Sequence, residues 1–518
     1  MPISLHQADD DDSPHILGPA VTSDSHVLAD YLSNVRDGTR AMPMIRPMLG
    51  GDSEPVMFTR VQKRPLGMAV DPTPPSLQLQ MIQKLVEPWA DELVRTFMST
   101  VTLCFPLVDE ESFMNQFSDA RDRISPALLA AIYAHTLTYW PYDPDLCKER
   151  CPDGRFAWNL ANQVLFSELR HSPGIATLPA LLLNVGGRPT TSMIGNGLLL
   201  GSAVSLSHSL GLNRNPLSWN IPQAEKYLRM KLWWCLLVQD RWCSVAHGTP
   251  PRLRNNQYDV PQPKVEYLVP EKHSEEHVAA ASVFCALVGL SELLQGFLEH
   301  VYSLDPVGPT GDLELALDQW VDGLRNDVRK VIARGSMLDL PGAANLRLAY
   351  LSTRLLLRRI ELNQTKEAQD PDPTALSARY MQVRRTAEDI VSLVQELDLP
   401  RLGGFWMPMA AFTFSHTATF LIRCALETTD GPGGLSQNPS LQLANDLVTA
   451  LRAHQEQHGW DLADICVAQH SDIITRLLAE ETSGDDLADA FMTLQDPFAM
   501  DFPFMDDMFY SNAELFNF

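Results

Sequence analysis

Residues that ionise or ligate are plentiful in this 518-residue chain, but few of them stand at spacings that chemistry can use. Eight cysteines fall at 104, 147, 151, 235, 243, 285, 424 and 466. Cys147 and Cys151 flank KER and could meet across one helical turn, yet a tetrahedral zinc site takes about four ligands. The pair therefore reads as two ordinary thiols. Asp485, Asp486 and Asp489 have the DDxxD spacing with which helical prenyl-transfer enzymes hold magnesium against a diphosphate. That chemistry needs a dry cavity and basic residues for the phosphates, whereas these acids lie in a segment without Lys, Arg or His. No GxSxG, HExxH or glycine-rich phosphate loop occurs, and GGRP at Gly186 and GPGG at Gly431 read as turns. His208, His247 and His416 fall inside apolar helical stretches or at a helix end, positions that suit a core or capping histidine. No catalytic or metal-ligating residue is assigned, and the chain is expected not to be an enzyme.

The bulk composition narrows the partners. With 45% hydrophobic residues the chain can close a large core. Its formal charge of -24 and pI near 4.9 repel a phosphate backbone, so DNA contact requires a separate module or a partner. The apolar runs are interrupted by polar residues, and the opening MPISLHQADDDDSP has neither a basic nor an apolar stretch. Neither a membrane span nor a signal peptide is expected, and the scattered thiols fit a reducing compartment.

The elements that must position any site follow from periodicity. Residues 1–74 mix Asp, Ser, Pro and Gly and read as a flexible arm with one docking helix at VLADYLSN. From 77 to 478 apolar residues recur at three and four positions, without sustained two-residue alternation, which predicts an all-α domain over 75–480. The clearest helices are expected at 124–139, 155–170, 191–211, 222–247, 274–303, 313–334, 342–364, 374–397, 407–428, 438–457 and 462–480. The small residues of 191–211 suggest a central helix covered on most sides. No internal repeat of fixed period is present. Residues 481–518 form a distinct acidic, aromatic tail.

The most informative segment is 209–263. A helix ends at Gly211 and Leu212, a Pro-containing turn follows, and a long helix then carries Leu228, Leu232, Trp233, Cys235 and Leu236 into Asp240 and Arg241. Adjacent helical residues project about 100° apart, so Asp240 and Arg241 are each expected to pair with a different part of the fold. Charges among tryptophans are costly unless paired. The favoured reading is that they staple the helix to its neighbours; the alternative is that they line an effector pocket.

This segment resembles the signature of the regulatory middle homology domain of fungal zinc binuclear-cluster transcription factors. The resemblance rests on Leu210, Gly211, Leu212 and Arg214, with Asn213 where His is common. It continues with Pro216 and Trp219, Glu225 and Arg229, and Leu232, Trp233 and Trp234. Asp240 and Arg241 then precede Gly248, Pro250 and the turn Asp259, Val260 and Pro261. Further similarity in CFPLVDEESF, SPALLAAIYA, LRLAYLSTRLLLRRIEL and GFWMPMAAFTFSHTATFLIRCAL extends it over about 75–430. The family's zinc cluster is not written in this chain, and HILGPAVTSDSHVLADYLSN resembles the stretch that follows it, placing such a cluster ahead of residue 1. Zinc is therefore expected only with that cluster, and no cofactor is expected otherwise. The resemblance also implies that the middle domain receives a metabolite or partner signal.

The tail supplies the output. Phe491, Phe498, Phe502, Phe504, Phe509, Tyr510, Phe516 and Phe518 lie among Asp485, Asp486, Asp489, Asp496, Asp501, Asp506, Asp507 and Glu514. Mutual repulsion keeps such aromatics available to shallow grooves on coactivators, the behaviour of acidic activation segments. The expectation is a nuclear transcription regulator, an activator through its tail. DNA contact would come from an upstream cluster or from a DNA-binding partner, and the partners expected are coactivators with such a factor or a second copy of the chain. The alternatives are a non-activating protein that sequesters a related factor and, less favoured, a prenyl-transfer enzyme.

Overall fold

A computed structural model describes residues 12–17, 46–48, 56–62 and 75–479, apart from 172, 189–191, 305–307, 369–371 and 430–431. The expected docking helix at 27–34, the DDxxD spacing and the whole aromatic tail lie outside the described residues. The described chain is helical apart from one small sheet. It divides into two compact units, residues 1–360 with 398–409, and residues 361–397 with 410–518.

The first unit begins with strands β1 (Asp12–Leu17), β2 (Arg46–Met48) and β3 (Val56–Gln62), antiparallel in the order β1-β3-β2. The sequence reading expected no strand here. Pro14 and Pro47 disguise β1 and β2, but both strands are edges, where a missing N–H is tolerated; the central β3 has no proline. Helices α1 (Pro75–Val86), α2 (Ala90–Thr96), α3 (Glu110–Asp119), α4 (Pro126–Thr136), α5 (Gly154–His171), α6 (Thr177–Val185) and α7 (Met193–Ser209) follow. Then come α8 (Gln223–His247), α9 (Val265–Leu268), α10 (Glu275–Tyr302), α11 (Gly311–Gly323), α12 (Asn326–Arg334) and the start of α13 (Ala343–Glu367).

Local chemistry sets the boundaries. Ser125 accepts from the Leu128 N–H and Pro126 occupies the first turn, which starts α4. All of α4 from Ala127 to Thr136 is buried, the mark of an interior helix. Ser274 and His277 close a capping box on α10. By composition α10 is long and apolar enough to cross a membrane, with mean hydropathy 1.8, yet 61% of that stretch is buried inside the protein. Gly323 and an extended Leu324 split the helix expected at 313–334 into α11 and α12.

Helix α7 corrects the expectation of a central, covered helix. Leu200 and Ala203 are buried, but Ile194 and Leu198 are 76% and 71% exposed. Its small residues have other causes: a Cβ at Gly195 would meet the capping Ser192 hydroxyl, and one at Gly197 would meet the Arg252 guanidinium. The interior positions go to α4, α6 and α8 instead.

The second unit contains the end of α13, α14 (Pro373–Gln395), α16 (Met409–Thr428), α17 (Pro439–His458) and α18 (Asp464–Leu478); the short α15 (Leu399–Leu402) belongs to the first. Its polar centre is Glu427, which accepts from Lys366 Nζ (2.6 Å), Tyr380 Oη (2.7 Å) and Arg423 Nε (3.0 Å). Burial alone would raise this carboxyl, and the three donors outweigh it and hold the group below its usual range.

Candidate functional site

The signature residues converge on α8. Glu225 and Arg229 lie one turn apart on this helix and pair at 3.1 Å, both buried. Arg229 Nη1 donates to the Leu210 carbonyl at 3.1 Å, which satisfies the end of α7. The same guanidinium stands over the Trp219 ring, 5.4 Å from its centroid. The loop between α7 and α8 is thus held by one arginine at both its ends.

The loop after α8 is held by Asp240 and Arg241, neither of which is exposed at all. The Asp240 carboxylate accepts from the Arg252 N–H (3.0 Å) and the Leu253 N–H (2.9 Å). Arg241 Nη1 donates to Asp240 (2.8 Å) and to the Leu253 carbonyl (2.8 Å), and Nη2 to Asn255 (3.3 Å). The expectation that these two neighbours serve different parts of the fold is therefore corrected. The guanidinium reaches around to its neighbour's carboxylate, and both grip the same segment, 252–255. Burial pushes the Asp240 carboxyl up, with the two amides and Arg241 opposing it.

Gly248 ends α8 in the left-handed region at φ 67°, and its N–H returns to the Ser244 carbonyl. Pro250 is exposed in the turn that follows. Farther on, Asp259 accepts from the Asn215 N–H at 2.7 Å and lies 3.3 Å from Arg214, while its own N–H donates to the Asn213 carbonyl. Val260 is buried and Pro261 half-buried. The two loops are thereby tied to each other as well as to α8. Trp233 and Trp234 pack beneath, with Tyr258 5.2 Å and 6.3 Å from their ring centroids.

The structure gathers the signature residues onto α8 and its two flanking loops, with Pro250 exposed, and it adds members that the sequence did not single out. Gln239 donates to the Leu182 carbonyl of α6 (2.9 Å) and Trp242 to Ser291 of α10 (2.9 Å). The cross-strand partners Ile16 and Phe58 of the small sheet cover Gly211, and Phe58 meets the Trp219 ring edge-on at 5.6 Å. Gly211 has φ +66°, and a Cβ there would lie 2.9 Å from the Phe58 ring and 3.0 Å from Ile16. Gly211→Ala is therefore expected to cost about 1–2 kcal/mol for the left-handed backbone and more for displacing the ring. In a Phe58→Ala background the second part should shrink to what the Ile16 contact leaves, which equilibrium unfolding of both pairs would read.

The remaining candidates behave as ordinary core or surface groups. His208 is half-buried against Trp233, and burial lowers its pKa. His247 is pushed down to about 4 by burial and by the charge of Arg252. Cys147 and Cys151 are exposed free thiols, and no group of three or more possible ligands gathers among the described residues.

Charges paired with the backbone and with each other, over a floor of packed tryptophans, staple the two flanking loops to α8. Residues 94–331 match the fungal specific transcription factor domain, and the relatives that the chain resembles are named as fungal transcriptional regulators. That family and the relatives are transcriptional regulators, not enzymes. The chain is 24% identical over 430 residues to an uncharacterised transcriptional regulatory protein of Schizosaccharomyces pombe, 80% of this chain and 62% of that one. It is 28% identical over 177 residues to a transcriptional activator protein of Saccharomyces cerevisiae, 34% of this chain and 18% of that one. With the acetamidase regulatory protein of Aspergillus fumigatus it shares 24% over 277 residues, 52% of this chain and 34% of that one. The chain thus spans less than two thirds of the length of these relatives. No solved structure matches.

Proposed function

We propose that this regulator is a nuclear activator in which the helical domain, residues 75–480, controls the availability of the tail, residues 481–518, to coactivators. Residues 1–74 act as an arm, and DNA contact comes from a zinc cluster or a DNA-binding partner, neither of which is written in these residues. One observation carries the reading. The buried charges of the signature clasp pair within the fold, while the sequence of 485–518 sets acids among aromatics with no Lys, Arg or His, the composition of a segment that recruits another protein.

Fused to a neutral DNA-binding domain, residues 484–518 should activate a reporter, and the triple change Phe502→Ala, Phe504→Ala and Phe509→Ala should lower output several-fold at equal protein level. Undiminished output from the triple variant would remove the aromatic mechanism. Reduced output from the unaltered fusion would instead indicate a segment that represses.

A further inference from the structure

A second polar group lies on α8, away from the clasp. The Lys231 side chain is 8% exposed, and its Nζ stands 4.0 Å from Asp109 Oδ2, beyond hydrogen-bond length. Among the described residues no side chain or carbonyl stands within hydrogen-bond length of the ammonium. Asp109 uses its other oxygen to cap α3 through the Ser112 N–H at 3.1 Å. Both groups line a cleft of about 40 Å³, walled by Pro106, Leu268, Pro270 and Phe284. Such a volume holds roughly three waters. On the rim His277 faces Glu110 at 3.6 Å.

We propose that this cleft binds a small neutral molecule of the primary-amide class, with the amide inserted between Lys231 and Asp109. An amide carries an acceptor and a donor on adjacent groups in one plane, so its carbonyl can accept from Nζ while its N–H donates to Oδ2. Charge selects the class. Lys231 and Asp109 already balance, and a net anion would add a charge facing Asp109 and Glu110, whereas a cation would add one facing Lys231. A neutral ligand completes both partners without burying a further charge. The apolar wall suits a short alkyl group beside the amide. Burial holds the Lys231 ammonium below its usual pKa, with Asp109 opposing, as expected where the donor lacks a close acceptor.

The test uses the full chain and three isosteric probes: propionamide, propionate and propionamidinium. Propionamide should raise the melting temperature with saturable dependence, and both charged probes should bind at least tenfold more weakly. Lys231→Met should abolish the propionamide effect. Because that variant could fail to fold, Asp109→Asn is the second arm: Asn still caps α3 but leaves Lys231 uncompensated, so the preference should turn from propionamide to propionate. The inversion is a readout that a merely structural lysine would not give. Overturning results are the absence of saturable binding by propionamide, with water the sole occupant, an equal or stronger response to a charged probe in the native chain, or an unchanged preference in Asp109→Asn. The reporter assay of the tail is independent of all of these outcomes.

Discussion

Asp240→Ala should destabilise the full-length protein by about 3–5 kcal/mol, the cost of leaving one partner of a buried ion pair alone. Arg241 is the partner left behind. It has no exposure to water, its Nε already lacks an acceptor, and Nη1 would keep only the Leu253 carbonyl. The Arg252 and Leu253 N–H groups would lose their acceptor as well. Equilibrium unfolding reads the loss, and limited proteolysis between 249 and 263 locates it. The double change Asp240→Leu with Arg241→Met removes both charges and should be less damaging than Asp240→Ala alone. If instead the two single losses simply add, the pair is not the unit described above.

Arg229→Ala is expected to rank next, at about 3 kcal/mol near neutral pH. It strips the Leu210 carbonyl of its donor, removes the cation over Trp219 and leaves Glu225 buried with no charge partner. The loss should depend on pH in a defined sense. Burial already raises the Glu225 carboxyl against the pull of Arg229, and removing Arg229 raises it further. A carboxyl whose folded pKa exceeds its unfolded value favours the folded state below the unfolded pKa and loses that contribution as pH rises through the folded one. The variant's penalty should therefore be smaller at pH 5 than at pH 7.5, and Glu225→Gln in the same background should flatten the dependence. A penalty independent of pH would place the damage in packing alone.

Legibility in the sequence tracked the length of the apolar pattern. Long helices such as 222–247 were readable because the recurrence runs over seven turns and a glycine ends it. Short ones such as α3 and α6 hid between caps and prolines. The strands went unread because three to seven residues are too few for alternation to stand out from an arm rich in Asp, Ser and Pro. At the site, residue identity was visible and connectivity was not. Asp240 and Arg241 stood out as charges among tryptophans, yet their acceptors and donors are backbone groups of 252 and 253, which have no signature in a side-chain alphabet. Gly211 could be recognised as a turn glycine; that Ile16 and Phe58 press on it from far upstream in the chain could not. Lys231 looked like any helical lysine, since nothing nearby in sequence announces Asp109.

The Asp240–Arg241 clasp also has a hereditary consequence. Because the carboxylate, the guanidinium and two main-chain amides are mutually dependent, neither coded residue can drift alone, and a lineage must cross a poorly folded intermediate to exchange the pair. A milder change, such as Asp240→Asn, retains an acceptor for the loop and is expected to give an allele that works in the cold and fails in the heat. Revertants selected from such a strain would then map to codon 241 or to codons 252–255, which makes the clasp something a cross can find without a structure.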